Sequence, residues 1–257
     1  MIKLALLLAL AVVIAYFIGN INFARIFAKA FAGKDITQMG SKNPGTMNML
    51  RSRNFGEAFL TMIFEAMKSG IPALLCYFLF EHLSSGFGDI AYFCVAIAVV
   101  VGHCFPVFYK YKGGKGVACT FGMFLFHHIF WWVCLIAFAV FFVLFFFIRY
   151  AFLVTLSHSV SMSIYATVYY CLHLTWDWWL PIVILIWLNV LLLVFMHRSN
   201  IKRFAAGKEN EINFWEKLTK KDKPKDADGS QEKPVEVAPA VEAEPEEEDV
   251  VPEHGEE

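Results

Sequence analysis

Long apolar stretches alternate with short polar segments along the chain. Seven stretches approach the length of a helix that crosses a bilayer, which needs ~20 mostly apolar residues. They predict spanning helices near residues 2–24, 57–80, 89–108, 116–130, 131–148, 151–172 and 179–197. The fourth is ambiguous, because residues 116–148 fit either one long bent helix or two short ones. The pattern therefore predicts an all-α polytopic membrane protein with about seven transmembrane helices.

Charge in the connecting segments predicts the orientation, since short cytoplasmic loops carry an excess of Lys and Arg. The segment after the first stretch is strongly basic, the next carries only acidic charge, and this alternation continues along the chain. It predicts an N-terminus outside and a C-terminus in the cytoplasm. The first stretch also fits a cleaved secretory signal, but its apolar run continues to Ile18, which favours a retained helix.

Composition agrees with a membrane protein and sets the domain boundary. Apolar residues make up 58% of the chain, which argues against a water-soluble fold. From Val235 onward there are ten acidic residues and neither Lys nor Arg, a composition that cannot bury enough surface to fold. We predict a transmembrane domain over residues 1–204 and a cytoplasmic tail over residues 205–257 that is disordered and acidic from about residue 222. The six cysteines stand singly, so we expect neither a metal site nor a disulfide framework.

Two glycine-rich clusters fall on the predicted cytoplasmic face. The stretch GSKNPGTMN at residues 40–48, followed by Arg51, is rich in turn residues whose backbone N–H groups can face an anion. The stretch KGGKG at residues 112–116 combines flexible glycines with two lysines, which suits a phosphate. It is not the nucleotide P-loop, because Gly116 stands where that motif has Ser or Thr. Ordinary basic loops remain the alternative for both stretches.

Two further clusters place ionisable residues at helical spacing. Glu65 and Lys68 lie three positions apart inside the second stretch, which indicates either a functional group or a structural ion pair in the membrane. His197 and Asn200 share one helical face at the inner end of the last stretch. Together the four clusters predict a pocket at the inner membrane surface that binds a phosphorylated, water-soluble substrate beside the lipid phase.

At these residues the sequence resembles the bacterial acyl-phosphate:glycerol-3-phosphate acyltransferases, a family of small polytopic membrane enzymes. The family motif G-S-x-N-x-G-A-T-N-x-x-R stands here as GSKNPGTMNMLR at residues 40–51. The motif G-H-x-x-P-x-F-x-x-x-K-G-G-K-G-V-A-T stands as GHCFPVFYKYKGGKGVACT at residues 102–120, and R-H-x-x-N-I-x-R stands as MHRSNIKR at residues 196–203. The signature D-x-x-K-G-x-x-P has its counterpart in Glu65, Lys68, Ser69 and Pro72. Departures include Thr46-Met47 in place of Ala-Thr, and Phe152 in place of a serine.

The resemblance implies acyl transfer from a fatty acyl-phosphate to the 1-hydroxyl of sn-glycerol 3-phosphate. The products are lysophosphatidic acid and phosphate, and the reaction is the first step of phospholipid synthesis. It further implies a multi-pass enzyme of the bacterial cytoplasmic (inner) membrane, with its active site facing the cytoplasm and with no cofactor. The expected partners are the two substrates and the bilayer, without nucleic acid, and no partner for the tail is indicated.

An acyl-phosphate is already activated, so positioning and charge stabilisation suffice for the transfer. We hypothesise that the catalytic residues are His103, Lys115, His197 and Asn200. We hypothesise that the substrate- and phosphate-binding residues are Ser41, Asn43, Gly45, Asn48, Arg51, Lys112, Gly113, Gly114, Gly116 and Arg203. His103 fits a general base or a residue that steadies the glycine loop. A transporter for an organic phosphate is the alternative, but it would need polar residues through the bilayer depth.

Overall fold

The computed structural model describes residues 2–212, and every regular element in that range is helical. This confirms the all-α prediction. The α-helices are α1 (Ile2–Asn20), α2 (Phe23–Ala32), α3 (Thr46–Ser52), α4 (Phe55–Leu83), α5 (Gly88–Cys104), α6 (Val117–Leu125), α7 (Trp131–Phe147), α8 (Ala151–His173), α9 (Trp176–Met196) and α10 (Arg198–Ala205). Short 3₁₀ helices at Ile36–Gln38 and Val107–Tyr109 lie in the two glycine-rich connections.

Within residues 2–212, five helical segments are long and apolar enough to cross a membrane. They are Ile2–Ala32, Phe55–Leu83, Gly88–Tyr109, Ala151–His173 and Trp176–Met196. α7, with 17 residues, is apolar but shorter. Five of the predicted ranges thus coincide with α4, α5, α7, α8 and α9 to within four residues at each end. The number of crossings and their orientation stay predictions.

The expectation that residues 116–130 form a spanning helix is wrong. α6 has nine residues and rises only about 14 Å, so the stretch 116–148 divides into two helices rather than forming one. A buried turn separates them. In it the Nε2 atom of His127 lies 3.2 Å from a carboxylate oxygen of Asp89 and 3.1 Å from the Tyr170 hydroxyl. Through His127, this turn connects the end of α6 to the ends of α5 and α8 that are predicted to lie on the outer side of the membrane.

The first predicted helix also ends earlier than residue 24. α1 stops at Asn20, and α2 begins after Asn22, whose side-chain oxygen accepts a hydrogen bond from the backbone N–H of Arg25. Such a capping bond satisfies an N–H group that the first turn of a helix leaves free. The break separates α1 from α2, and the chain after α2 forms the loop that carries the first glycine-rich cluster.

α5 lies at the centre of the bundle and packs against α1, α4, α6 and α9. Its crossing with α1 is close because glycines meet there. A Cβ atom on Gly102 would overlap the carbonyl of Tyr16, and one on Gly19 would overlap the carbonyl of Val99. Small residues allow this approach between membrane helices. The packing fixes the last turn of α5, which carries His103, beneath the two glycine-rich loops.

In residues 205–212, the part of the predicted tail that the structure describes, Glu209 and Ile212 are buried and the other residues are exposed. The backbone N–H of Ile212 donates to the carbonyl of Arg149 at 2.8 Å, and Glu209 is buried. The acidic segment from about residue 222 lies outside the described residues. The domain boundary near residue 204 stays a prediction.

Candidate active site

Two cavities meet where the glycine-rich loops approach α10. The first, which we call the polar cavity, measures about 530 Å³. Its charged lining side chains, among the described residues, are all basic: Arg25, Lys42, Arg51, Lys112, Lys115 and Arg203. A cavity with this lining attracts and holds anions.

The second cavity, which we call the apolar cavity, measures about 170 Å³ and enters the helix bundle. Its walls are largely aromatic and come from α6, α7 and α8: Phe121, Phe138, Phe141, Phe142, Phe145 and Phe152. Both cavities share Ser41, Asn43, Arg51, Lys115 and Asn200. An anionic ligand and an apolar ligand would therefore meet at these five residues.

Asn48 organises the first glycine-rich loop. Its side-chain oxygen accepts hydrogen bonds from the backbone of Ser41 at 2.9 Å and from the hydroxyl of Ser52 at 3.3 Å. Its side-chain nitrogen donates to the carbonyls of Ile36 and Met39 at about 3 Å. Asn48 lines the apolar cavity, but the loop itself uses both ends of its amide. The geometry thus gives Asn48 a positioning role.

Two residues outside the motif quoted above join the first loop to its surroundings. The side-chain nitrogen of Asn22 donates to the carbonyl of Pro44 at 3.0 Å. Arg25 forms an ion pair with Asp35 at 2.6 Å and donates to the carbonyl of Lys112 at 3.3 Å. Its guanidinium also lies 4.4 Å from the centre of the Tyr109 ring. Arg25 therefore links the first loop to the second.

The glycines of the second loop are required by packing. A Cβ atom on Gly113 would overlap the backbone carbonyl of His103, and one on Gly114 would overlap the His103 ring. The N–H of Gly114 donates to that same carbonyl at 3.1 Å. Gly116 has φ of +82° and precedes the first residue of α6. The loop thus lies directly on the end of α5, with Lys115 held between Gly114 and Gly116.

His103 contacts a buried ion pair formed by Glu65 and Lys68. A carboxylate oxygen of Glu65 lies 2.6 Å from the Lys68 ammonium and 3.1 Å from Nδ1 of His103. Lys68 also donates to the carbonyls of Gly19 and Ile21, so its three protons have three oxygen acceptors. Nδ1 of His103 also lies 3.1 Å from the Lys68 ammonium, so it contacts both members of the pair, while Nε2 lies against Gly114. The structure thus contains the ion pair that the spacing of Glu65 and Lys68 suggested.

Lys115 and Asn200 form the centre of the junction between the cavities. The ammonium of Lys115 donates to the side-chain oxygen of Asn200, whose nitrogen donates to Glu209 at 2.6 Å. The other oxygen of Glu209 accepts from Arg203 at 2.9 Å. Burial lowers the pKa of Lys115 to about 8, although the charge of Glu209 partly opposes this. Glu209 was not predicted as a site residue, and its only signal was an acidic residue directly after a basic helix.

His197 lies at the end of α9 and lines the apolar cavity. Its Nδ1 is 2.8 Å from the carbonyl of Leu193, so Nδ1 carries the proton and Nε2 keeps its lone pair. Burial, together with the nearby charge of Lys115, lowers the pKa of His197 to about 4. The ring is therefore neutral at physiological pH and offers one acceptor to the cavity.

Two groups of described residues bring metal-ligand atoms together, but neither is arranged to hold an ion. In the group of Glu65, His103 and Cys119, the Lys68 ammonium already occupies the cation position. In the group of Asp89, His127 and His128, the two imidazole rings are stacked, with centres 4.6 Å apart and planes at 25°. Both ring nitrogens of His127 also have partners already, Nε2 in Asp89 and the Tyr170 hydroxyl and Nδ1 in the N–H of Ile129.

The structure brings most of the predicted site residues together. Ser41, Asn43, Arg51, Lys115 and Asn200 border both cavities, His103, His197, Gly45, Asn48 and Gly116 line the apolar one, and Lys112, Gly113 and Arg203 line the polar one. Gly114 instead packs against His103. The sequence did not indicate that Asn22, Arg25 and Glu209 belong to this arrangement, or that the phenylalanines of α7 and α8 form a wall.

The fold is a helical membrane bundle in which a basic cavity meets an apolar cavity. This arrangement is typical of a class of membrane proteins that bind a charged substrate and a lipid at the same site. Residues 9–207 match the sequence profile of a family described as "Glycerol-3-phosphate acyltransferase". The chain belongs to this family.

Curated relatives and solved structures agree. The chain is 37% identical to the glycerol-3-phosphate acyltransferase of Ralstonia pickettii (strain 12J) over 198 residues, covering 77% of this chain and 90% of the relative. It is 36% identical to the enzyme of the same name from Neisseria meningitidis serogroup C (strain FAM18), covering 79% of this chain and 96% of the relative.

The fold is similar to two crystal structures of PlsY (YgiH), described as an integral membrane glycerol 3-phosphate acyltransferase. The glycerol 3-phosphate form gives a TM-score of 0.69 at 27% identity. The lysophosphatidic acid form gives a TM-score of 0.68 at 26% identity. Each comparison covers 83% of this chain and 99% of the solved one.

Proposed function

We propose that this membrane enzyme transfers a fatty acyl group from an acyl-phosphate to the 1-hydroxyl of sn-glycerol 3-phosphate. The products are lysophosphatidic acid and inorganic phosphate. Family membership supports glycerol 3-phosphate as the acceptor and phospholipid synthesis as the setting. The acyl-phosphate donor is what the resemblance to the acyl-phosphate-dependent family implies, and the chemistry of the site agrees with it.

The observation that carries this proposal is the shared wall of the two cavities. The polar cavity offers six basic side chains to a small phosphorylated acceptor, while the apolar cavity offers aromatic walls to a fatty chain. Arg51 and Lys115 border both, which is where the donor's own phosphate would lie. An acyl-phosphate suits this arrangement because its charge and its chain are adjacent.

The transfer needs no nucleophile from the protein. The 1-hydroxyl oxygen attacks the carbonyl carbon, the bond from that carbon to the phosphate oxygen breaks, and phosphate leaves with the electron pair. Arg51 and Lys115 stabilise the negative charge that grows on the carbonyl oxygen and on the departing phosphate. Asn200 fixes the position of Lys115.

His197 is the better candidate for the proton acceptor. Its Nε2 has a free lone pair on the cavity side, whereas the corresponding atom of His103 is covered by Gly114. Bound phosphate would raise the pKa of His197 toward the range in which a base is effective. The hydroxyl proton then passes to Nε2 of His197 and on to the departing phosphate. His103 supports the second loop.

We further propose that the site faces the cytoplasm from the inner membrane of a bacterium. The six basic residues of the polar cavity lie on one end of the bundle, as the positive-inside rule expects of a cytoplasmic face. An epitope at the C-terminus should be reached by antibody in inverted vesicles and protected in intact spheroplasts. The reverse accessibility would place the site outside.

The reaction is tested by phosphate release from the purified full-length chain in lipid, with palmitoyl-phosphate and glycerol 3-phosphate. Release should require both substrates and yield lysophosphatidic acid. Lys115→Ala and His197→Ala should each lose at least about 100-fold in kcat/KM. Lys34→Ala, a variant of an exposed lysine lining neither cavity, should retain full activity.

The same assay distinguishes the donors. Palmitoyl-coenzyme A and palmitoyl-acyl carrier protein should yield no product when each replaces palmitoyl-phosphate. Product from either thioester at a comparable rate would contradict the acyl-phosphate assignment while leaving glycerol 3-phosphate as acceptor.

A further inference from the structure

Among the polar side chains that line the apolar cavity, His158 lies deep in the aromatic part and takes no part in the proposed reaction. His158 lies on α8, is 7% exposed, and lines this cavity. Its Nε2 atom is buried without a hydrogen-bond partner. Buried polar atoms in native proteins nearly always have partners, so such an exception calls for an explanation.

His158 is placed away from the reacting groups. One face of α8 lines the cavity through Ala151, Phe152, Val154, Thr155 and His158. The ring of Phe152 stacks on His197 with centres 6.5 Å apart, which marks the reactive end. His158 follows six residues later, about 9 Å further along the helix axis. It therefore faces the middle of a bound fatty chain rather than its carbonyl.

Apart from the backbone of Cys134 on α7, which interacts with the imidazole, the surroundings of His158 are apolar. Its ring centre lies 5.7 Å from that of Phe121 and 5.5 Å from that of Phe141, so α6 and α7 close over it. The other polar side chain of α8 that lines the cavity, Thr155, donates its hydroxyl to the carbonyls of Ala151 and Phe152. A saturated chain would cover the His158 ring without giving Nε2 a partner.

We propose that His158 is a specificity-determining residue that binds a hydroxyl group carried near the middle of the acyl chain. A hydroxyl fits either state of the imidazole, because it can both donate and accept a hydrogen bond. A hydroxylated chain supplies the partner that Nε2 lacks, so the enzyme favours such donors over saturated ones of the same length. This inference rests on the proposed function, since the apolar cavity must hold the acyl chain.

The test compares palmitoyl-phosphate with hydroxypalmitoyl-phosphates whose hydroxyl lies near the carbonyl, in the middle, or at the methyl end. The measured quantity is the ratio of kcat/KM for the hydroxylated donor to that for the plain donor. For the mid-chain hydroxyl, the ratio measured with wild type should be roughly tenfold higher than the ratio measured with His158→Phe. The other two positions should give the same ratio in both proteins.

Two variants control for changes in cavity shape. Phe141→Leu alters the neighbouring wall but keeps the nitrogen, so both donors should change together and the ratio should hold. His158→Gln keeps a hydrogen-bonding group and should recover part of the mid-chain preference. Palmitoyl-phosphate turnover shows that each variant is folded. A ratio that His158→Phe leaves unchanged at every position would overturn the inference.

Failure of the two proposals can be separated. If wild type turns over no acyl-phosphate, the donor assignment fails. The inference is then tested by the affinity of lysophosphatidic acid with and without a mid-chain hydroxyl, which does not depend on the donor. The hydroxylated product should bind roughly tenfold more tightly to wild type than to His158→Phe. Equal affinities would mean that the histidine is only part of the wall.

Discussion

The side-chain oxygen of Asn200 accepts a hydrogen bond from the ammonium of Lys115, a residue 85 positions earlier in the chain. The nitrogen of the same amide donates to Glu209. An amide has one accepting and one donating end, so a cation on one side and a carboxylate on the other fix its orientation. Asn200 thereby couples the glycine loop to the segment after α10.

The first prediction concerns the alkaline limb of the pH profile. Because burial lowers the pKa of Lys115 to about 8, kcat/KM should fall as pH rises through that value and the ammonium loses its charge. Lys115→Arg should work more slowly but lack this limb, since a guanidinium stays protonated. Lys112→Arg should retain it. If the activity of Lys115→Arg and of wild type fell at the same pH, the alkaline limb would belong to a group other than Lys115.

The second prediction follows from Glu209, whose negative charge raises the pKa of Lys115. Glu209→Gln removes that charge, so the alkaline limb should move to lower pH by on the order of one unit. Glu211→Gln is the matched control, because Glu211 is exposed and pairs with Arg149 instead. The pH dependence of phosphate release measures both. Equal shifts in the two variants would mean that overall charge, not this contact, is responsible.

The sequence was sufficient to predict the long apolar helices α4, α5, α7, α8 and α9, because a helix in lipid must satisfy its own backbone over about 20 apolar residues. It failed at α6, where the run from 116 to 130 is as apolar as a spanning helix. The helix ends early because His127 is buried in a turn, where it hydrogen-bonds to Asp89 and Tyr170 on other helices. Such tertiary contacts leave no periodic pattern in the chain.

The site was predicted through its loops, whose lysines and glycines stand out in an apolar chain. The roles of the glycines were less predictable. Gly113 and Gly114 suggested contact with a ligand, but they are required because the loop packs on His103. Asn48 lines the apolar cavity and also hydrogen-bonds its own loop, so its contact with the substrate stays a prediction. These contacts join residues from 9 to 85 positions apart, such as Asn48 with Met39 and Lys115 with Asn200. Only the folded structure shows them.

The third prediction tests the packing of the second loop. Gly114→Ala places a methyl group against the His103 ring, so the loop must move and carry Lys115 away from Asn200. We expect a loss of at least about 100-fold in kcat/KM, since small misplacements at a site can cost this much. Combining it with His103→Ala should recover part of the activity if the ring is the obstacle.

The control for this variant is Gly33→Ala. Gly33 has φ of +66° and ends α2, but nothing lies within 4 Å of the position of its Cβ. The substitution should cost about 1 kcal/mol through backbone strain and leave kcat/KM unchanged. Equal activity of Gly114→Ala and Gly33→Ala would show that the loop tolerates the added methyl group.

The fourth prediction concerns the buried pair of Glu65 and Lys68. Removing one charge leaves the other buried and uncompensated, which typically costs about 3–5 kcal/mol. We therefore expect Glu65→Gln and Lys68→Met each to lower the melting temperature of the purified protein markedly. The double variant Glu65→Gln with Lys68→Met leaves no unpaired charge, so its loss should be clearly smaller than the sum of the single losses.

A surface pair provides the comparison for this cycle. Arg53 and Glu57 form an ion pair at 2.8 Å near the start of α4, with side chains 27% and 12% exposed. Glu57→Gln should cost about 1 kcal/mol or less, because partly hydrated pairs contribute little. Additive losses for Glu65 and Lys68 would mean that each is stabilised by its backbone partners alone. A strong coupling between the two substitutions would instead show that Glu65 and Lys68 stabilise the protein as a pair, beside His103 and the glycine loop.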